Sequence, residues 1–110
     1  MEEEITALAA SLKKGAITAE ALLDRSLDRI RQLDGELNTF VALDEAGARA
    51  AAKAGDRRLA AGKPLSPLDG IPLSVKDSIL VAGMPATWGS GGLADFRPEK
   101  DELPVARLRA

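Results

Sequence analysis

Leu68-Asp69-Gly70-Ile71-Pro72-Leu73-Ser74-Val75-Lys76-Asp77-Ser78-Ile79 is the stretch around which the chain is organised. Leu68-Asp69-Gly70 reads as a turn, and Ile71 to Val75 as a short apolar run expected to be a strand. That run delivers a lysine beside an aspartate, and a second apolar pair, Ile79-Leu80, follows. An ammonium is costly to bury unpaired, so a lysine between two apolar segments has two readings. In the first, its stem packs on apolar surface while its head reaches water. In the second, it is poised for proton transfer: partial burial lowers an ammonium pKa, and a neutral amine is a base. Asp77 alongside would oppose that and favour the charged form. If the run is a strand, Ser74 and Lys76 point to one face.

Composition bounds what such a site can use. A chain of 110 residues suffices for one small core. The net charge of -2 gives no electrostatic case for nucleic acid or an anionic membrane as partner. Cysteine is absent, which removes disulfides and thiolate metal sites and fits a cytoplasmic location. Histidine is absent too, so neither Ser-His-Asp chemistry nor a His-based metal site can be built from these residues. No apolar run approaches the roughly 18 residues of a membrane span, and the acidic start Met1-Glu2-Glu3-Glu4 is unlike the basic end of a secretory signal.

Upstream, the spacing of Ile5, Leu8 and Leu12 predicts a helix over Glu2 to Lys14, stopped by Gly15. Thr18 is the N-cap candidate for a second helix, Ala19 to Leu33, with Leu22, Leu23, Leu27, Ile30 and Leu33 inside and Asp24, Asp28 and Arg31 outside. Asp34-Gly35 is its expected end. Phe40 to Leu43 reads as a short strand, and Asp44 as the cap of an Ala-rich helix, Glu45 to Ala61, whose apolar face is read as Ala46, Ala50, Ala54 and Leu59. Arg49, Lys53, Arg57 and Arg58 on that helix, interspersed with Glu45 and Asp56, read as plain surface. The Gly62-Lys63-Pro64-Leu65-Ser66-Pro67 loop is the expected boundary between a helical segment, residues 1–63, and the start of an α/β core, residues 64–110.

Downstream, Trp88-Gly89-Ser90-Gly91-Gly92-Leu93-Ala94 is a glycine-rich loop. It matches a dinucleotide fingerprint loosely, but no strand leads straight into it. Asp101 is expected to cap a last helix with Pro104 in its first turn and Val105 and Leu108 on its apolar face.

Gly70-Ile71-Pro72-Leu73-Ser74-Val75-Lys76-Asp77-Ser78-Ile79 resembles the first conserved block of the amidase-signature enzymes, Gly-(Ile/Val)-Pro-(apolar)-x-(Val/Ile)-Lys-Asp-Asn-(apolar). Ala82-Gly83-Met84-Pro85-Ala86-Thr87-Trp88-Gly89-Ser90 resembles that family's Gly-x-x-Thr-Thr-x-Gly-Ser segment. The likeness covers about Ile17 to Ala110. Two departures are visible, Ser78 in place of Asn and Ala86 in place of the first Thr.

The resemblance implies an α/β fold, with the N-terminal helices packed on the first part of a mixed sheet that is incomplete in this chain. It implies hydrolysis of a carboxylic amide through a Ser-cisSer-Lys triad without metal or cofactor. Lys76 matches the lysine; both serines belong to a downstream Gly/Ser-rich block not found in these residues, and the chain reads as an N-terminal fragment that is inactive alone. Thr87, Gly89 and Ser90 would line the cavity of a small-molecule amide. Association is expected, as a homodimer or with the remainder of the chain. The wording of Trp88-Gly89-Ser90 and of Glu102 to Arg107 is closer to free-standing amidases than to the amidase-like component of a tRNA-dependent amidotransferase, which shares the motifs. A non-catalytic helical interaction module is the reading outside that family; it predicts a stable monomer indifferent to change at Lys76, whereas a fragment predicts an exposed apolar edge around Ile71 to Val81.

Overall fold

The computed structural model describes residues 4–110. Their regular elements are helices α1 (Ile5–Lys13), α2 (Ala19–Leu37), α3 (Glu45–Ala60) and α4 (Leu103–Arg109), with a 3₁₀ turn at Gly91–Leu93. Packing divides the chain into two compact units. The first takes the described residues up to Leu37 with Glu45–Leu73; the second takes Asn38–Asp44 with Ser74–Ala110. The Gly62–Pro67 loop lies within the first unit.

In the first unit, α1 and α3 end as their glycines predict. At Gly15 (φ +70°), the Gly15 N–H donates to Leu12 O and the Ala16 N–H to Ser11 O. At Gly62 (φ +68°), the Gly62 N–H donates to Leu59 O and the Lys63 N–H to Arg58 O. Both are Schellman closures, which need a left-handed residue just past the helix. The expected start of α1 at Glu2 lies outside the described residues. Helix α2 begins at the predicted cap: Thr18 Oγ1 accepts from the Ala21 N–H at 3.0 Å. It does not stop at Asp34-Gly35 but runs to Leu37, and the left-handed residue that ends it is Asn38 (φ +50°). A glycine inside a helix costs only about 1 kcal/mol relative to alanine, which the helix tolerates here.

The core of this unit is Leu12, Ala19, Leu22, Leu23, Leu27 and Ala52, with Leu8, Ile17, Ala48, Leu59 and Ile71 packed on it. Of the predicted α2 stripe, Leu22, Leu23 and Leu27 are buried, joined by Ala19, while Ile30 and Leu33 are half-buried. The inward face of α3 is Ala48, Ala52, Gly55 and Leu59 rather than Ala46, Ala50, Ala54 and Leu59. Both sets share helical spacing, and alanines alone do not choose between them. The small face lets α3 lie close to α2 and to the turn at Gly70.

Charged side chains join these elements. Asp56, on α3, accepts the Ala19 N–H at 2.6 Å and the Glu20 N–H at 3.1 Å, so it caps α2 from another helix. Arg49 reaches Asp24 at 2.7 Å and Glu45 at 2.9 Å, and Arg31 reaches Glu45 at 3.1 Å, joining α2 to α3 at the surface. Arg58 closes a two-pronged fork on Asp69, with both N–O distances 2.7 Å, and the Leu65 N–H adds a third donor at 3.0 Å. Asp56, Arg49 and Arg58 are thus joints of the fold and not plain surface.

The fork seats the Leu68–Ile71 turn. Gly70 has φ +88°, and a Cβ there would meet Ala19 Cβ at 3.0 Å and Leu59 Cδ1 at 3.3 Å. A Cβ on Gly55 would stand 3.4 Å from Gly70 Cα. Glycine is required at residue 70 on both counts, backbone conformation and clearance.

The second unit is held differently. The Glu102 N–H donates to Leu80 O at 2.9 Å, while the Glu102 carboxylate accepts the Leu80 N–H at 3.1 Å. The Asp101 carboxylate accepts the Ala82 N–H at 2.8 Å and lies 3.2 Å from Arg109. The Gly83 N–H donates to Pro98 O and the Ala86 N–H to Phe96 O. Segments 80–86 and 96–102 therefore lie side by side with carboxylates supplying part of what a ladder would. Asp101 does not cap α4: the N-cap is Glu102, without a side-chain cap bond, and Pro104 falls within the first turn as predicted. Val105 is buried, but Leu108 is exposed.

No strand forms among the described residues, so the sheet expected of an α/β fold is not seen here. Phe40–Leu43 and Ile71–Val75 run without regular pairing. A strand is defined by a continuous ladder with a partner's N–H and C=O groups, and neither run forms such a ladder among the described residues. Within Ile71–Val81 the one exposed large apolar side chain is Leu73; Val81 is buried and Ile71, Val75, Ile79 and Leu80 are half-buried.

Gly70→Ala is expected to destabilise the first unit by roughly 2–4 kcal/mol, the sum of a left-handed alanine and a forced overlap; chemical denaturation followed by helical circular dichroism measures it. Asp69 sets an acid limit. The Arg58 guanidinium, and then the Leu65 and Gly70 N–H groups, hold its carboxyl below the ordinary value of 3.8. Its contribution is therefore complete above that unfolded value and lost as pH falls through the lower folded one. An acid titration of Asp69→Asn should lack this limb.

Candidate functional site

The residues singled out from the sequence, Lys76, Thr87, Gly89 and Ser90, all lie in the second unit. Lys76 is exposed, at the end of the irregular Ile71–Lys76 segment, where its carbonyl accepts the Ile79 N–H at 2.9 Å in a tight turn. Its side chain makes no hydrogen bond or ion pair with the described residues. Ser74, also exposed, makes no hydrogen bond that would tie it to the amine.

The aspartate beside it faces elsewhere. Asp77 Oδ1 accepts the Thr87 N–H at 2.9 Å. Asp77 Oδ2 accepts the Thr87 hydroxyl and, at 3.4 Å, the Gly89 N–H. Thr87 Oγ1 accepts that same Gly89 N–H at 3.1 Å. The Thr87 hydroxyl, foremost, then its N–H and that of Gly89, draw the Asp77 carboxyl below its usual range. The hydrogen bonds of the Asp77 oxygens thus go to the loop.

That loop is a sharp reversal. The Ser90 N–H donates to Thr87 O at 2.8 Å, and the two central residues, Trp88 and Gly89, have φ of +50° and +71°. Positive φ at both positions is the pattern of a type I′ turn. Glycine adopts it freely, whereas a bulky residue there costs on the order of 1–3 kcal/mol and persists only where its surroundings fix it. Trp88 is 52% exposed, and its ring lies 6.3 Å from that of Phe96 at a tilt of 32°.

Thr87 is 8% exposed, with its hydroxyl both donating and accepting inside the loop. The N–H groups of Thr87, Gly89 and Ser90 are likewise engaged. What the turn leaves for a ligand is the Ser90 hydroxyl and the Trp88 indole. An open depression of about 420 Å³ lies on the same unit, lined by Ala42, Leu43, Asp44, Ala82, Gly83, Met84, Pro85 and Arg97, and includes neither Lys76 nor residues 87–90. No helix of the described residues is long and apolar enough to cross a membrane.

The Amidase family profile matches residues 21–110, which include Lys76 and the whole turn. The chain belongs to the amidase family. It is 44% identical over 103 residues to the A subunit of the glutamyl-tRNA(Gln) amidotransferase of Salinispora tropica, covering 94% of this chain and 21% of that protein. A protein of the same name from Myxococcus xanthus is 44% identical over 102 residues (93% and 21%), and one from Chloroflexus aurantiacus is 42% identical over 106 (96% and 22%). The chain thus spans about a fifth of the length of the curated relatives it matches. An enzyme family that works on amides, and relatives that are subunits, replace the non-catalytic module as the frame for the site.

Proposed function

We propose that this amidase-family chain carries the lysine of an amide-hydrolysing site within the A subunit of an amidotransferase that acts on glutamyl-tRNA(Gln). What carries the proposal is identity of 42–44% over nearly the whole chain to proteins bearing that name. A free-standing serine amidase acting on linear amides is the second reading, favoured by the local wording Trp88-Gly89-Ser90, with its half-exposed indole.

In either reading the chemistry is that of a serine nucleophile and a lysine base. The serine attacks the amide carbonyl, a second serine with a cis peptide relays its proton to Lys76, and Lys76 returns it to the departing nitrogen as the C–N bond breaks; water then attacks the acyl-serine, releasing the acid and restoring the serine hydroxyl. In this family both serines come from a Gly/Ser-rich block not found in these 110 residues, so the isolated chain is inactive. Exposure of Lys76 fits a site completed by other residues, which would enclose the amine. The same completion would give Phe40–Leu43 and Ile71–Val75 their strand partners in a mixed α/β sheet, with residues 1–63 as a helical segment beside the core that starts at 64. No metal or cofactor has a part in this scheme. A transfer onto aminoacylated tRNA belongs in the cytoplasm and in a complex with other chains, of which this one supplies nitrogen and not the RNA contact.

The test is ammonia release by the full gene product from a panel of simple amides, including glutamine, with and without partner subunits and glutamyl-tRNA(Gln). Lys76→Ala should lower the rate on the order of 10²–10⁴-fold, the worth of a positioned base, with the helical fold retained. Release that needs partners and tRNA identifies the amidotransferase; release from simple amides alone identifies the free-standing enzyme. Equal rates in wild type and Lys76→Ala would sink the lysine assignment.

A further inference from the structure

The chain places an aspartate directly after Lys76 and spends that aspartate on a loop ten residues away. Three donors converge on one carboxylate: the Thr87 hydroxyl, the Thr87 N–H and the Gly89 N–H. They come from a turn whose central tryptophan holds a left-handed backbone that tryptophan does not choose. The two Thr87 donors make charge-assisted bonds to the carboxylate, stronger than neutral ones, and the long, shared Gly89 contact adds to them, which holds the turn against that strain. Thr87 is buried, its one hydroxyl proton goes to Asp77 and one of its lone pairs to the Gly89 N–H, so it has no donor left for a substrate.

We infer that Asp77 is the positioning residue of the amide-hydrolysing site, and that Thr87 is its partner and not a substrate contact. Together they fasten the Thr87–Ser90 turn to the residue one peptide bond from Lys76. The inference rests on the assignment of Lys76 above. Its consequence is that the backbone carrying Lys76 and the wall carrying Trp88, Gly89 and Ser90 move as one piece. A substrate held by that wall then meets the lysine from a fixed base, and misplacement of reacting groups by about 1 Å is worth on the order of a hundredfold in rate. An asparagine at residue 77 would keep one acceptor oxygen and turn an NH₂ towards donors, so it breaks the arrangement at nearly unchanged size.

The experiment combines a spectroscopic and a kinetic reading on the full gene product labelled with 5-fluorotryptophan. The chain has one tryptophan, and the Trp88 fluorine line is assigned by its loss in Trp88→Phe. Asp77→Asn and Thr87→Val should each shift or broaden that line, and the double variant should do no more than either alone, because both remove one interaction. Both should lower kcat/KM for ammonia release on the order of tenfold to a hundredfold, while Thr87→Ser, which keeps the hydroxyl, should stay near wild type in both readings. Additive effects, an unmoved Trp88 line in Asp77→Asn, or damage by Thr87→Ser equal to that by Thr87→Val would overturn the inference. So would a moved line with unchanged kcat/KM, which leaves a structural clasp alone. Should ammonia release prove independent of Lys76, the functional reading fails and positioning for catalysis fails with it, while the fluorine line still decides whether Asp77 holds the turn.

Discussion

The fork between Arg58 and Asp69 is the contact on which the first unit depends. The Asp69 side chain is 6% exposed and could not be buried without a cation matched to both oxygens. Arginine supplies the planar pair of donors that this requires. With the charge neutralised, the turn that carries it can descend onto the helices until Gly70 touches Ala19 and Gly55. Each element of the unit then has a reason to be where it is. Helix α3 must be small-faced to admit the turn, and its Asp56 must cap α2, whose first residue is the one that Gly70 rests against.

The second unit solves the same problem of backbone satisfaction with fewer apolar resources. Val81, Ala86 and Val105 are its buried hydrophobic residues. In place of a larger core, three acidic side chains, Asp77, Asp101 and Glu102, accept main-chain N–H groups from segments that are neither helix nor strand. Side-chain acceptors fix single points, where a ladder would fix a whole segment. A unit built so tolerates irregular backbone, including the left-handed Trp88, and irregular backbone is what loops that contact ligands are made of.

What is legible in the sequence follows from this difference. The leucine stripe of α2, the Thr18 cap and the glycine stops of α1 and α3 are local, since each needs only its own helix. The amidase likeness is legible too, because it rests on a short ordered string from Gly70 to Ile79. Gly35 has the look of an end and is not one, because helix-breaking by glycine is a matter of only about 1 kcal/mol. Apolar runs suggest strands at Phe40–Leu43 and Ile71–Val75, yet pairing is a property of two segments and not of one. Asp56, Asp69, Asp77 and Asp101 are not legible in their roles. An aspartate's partner far along the chain leaves no periodicity behind, and Asp101 at the head of a helix offers a plausible cap that Ala82 and Arg109 take instead.

The backbone at residue 88 also governs how the family can vary there. A position with φ near +50° admits glycine, asparagine and aspartate readily, a rigid tryptophan at a cost, and valine or isoleucine scarcely at all. Drift at this site is therefore channelled: exchanges among large planar and small polar side chains are open, while aliphatic branching is closed. A lineage that altered this loop would have to do so through size and polarity at one exposed tip, with the turn beneath it left as it is.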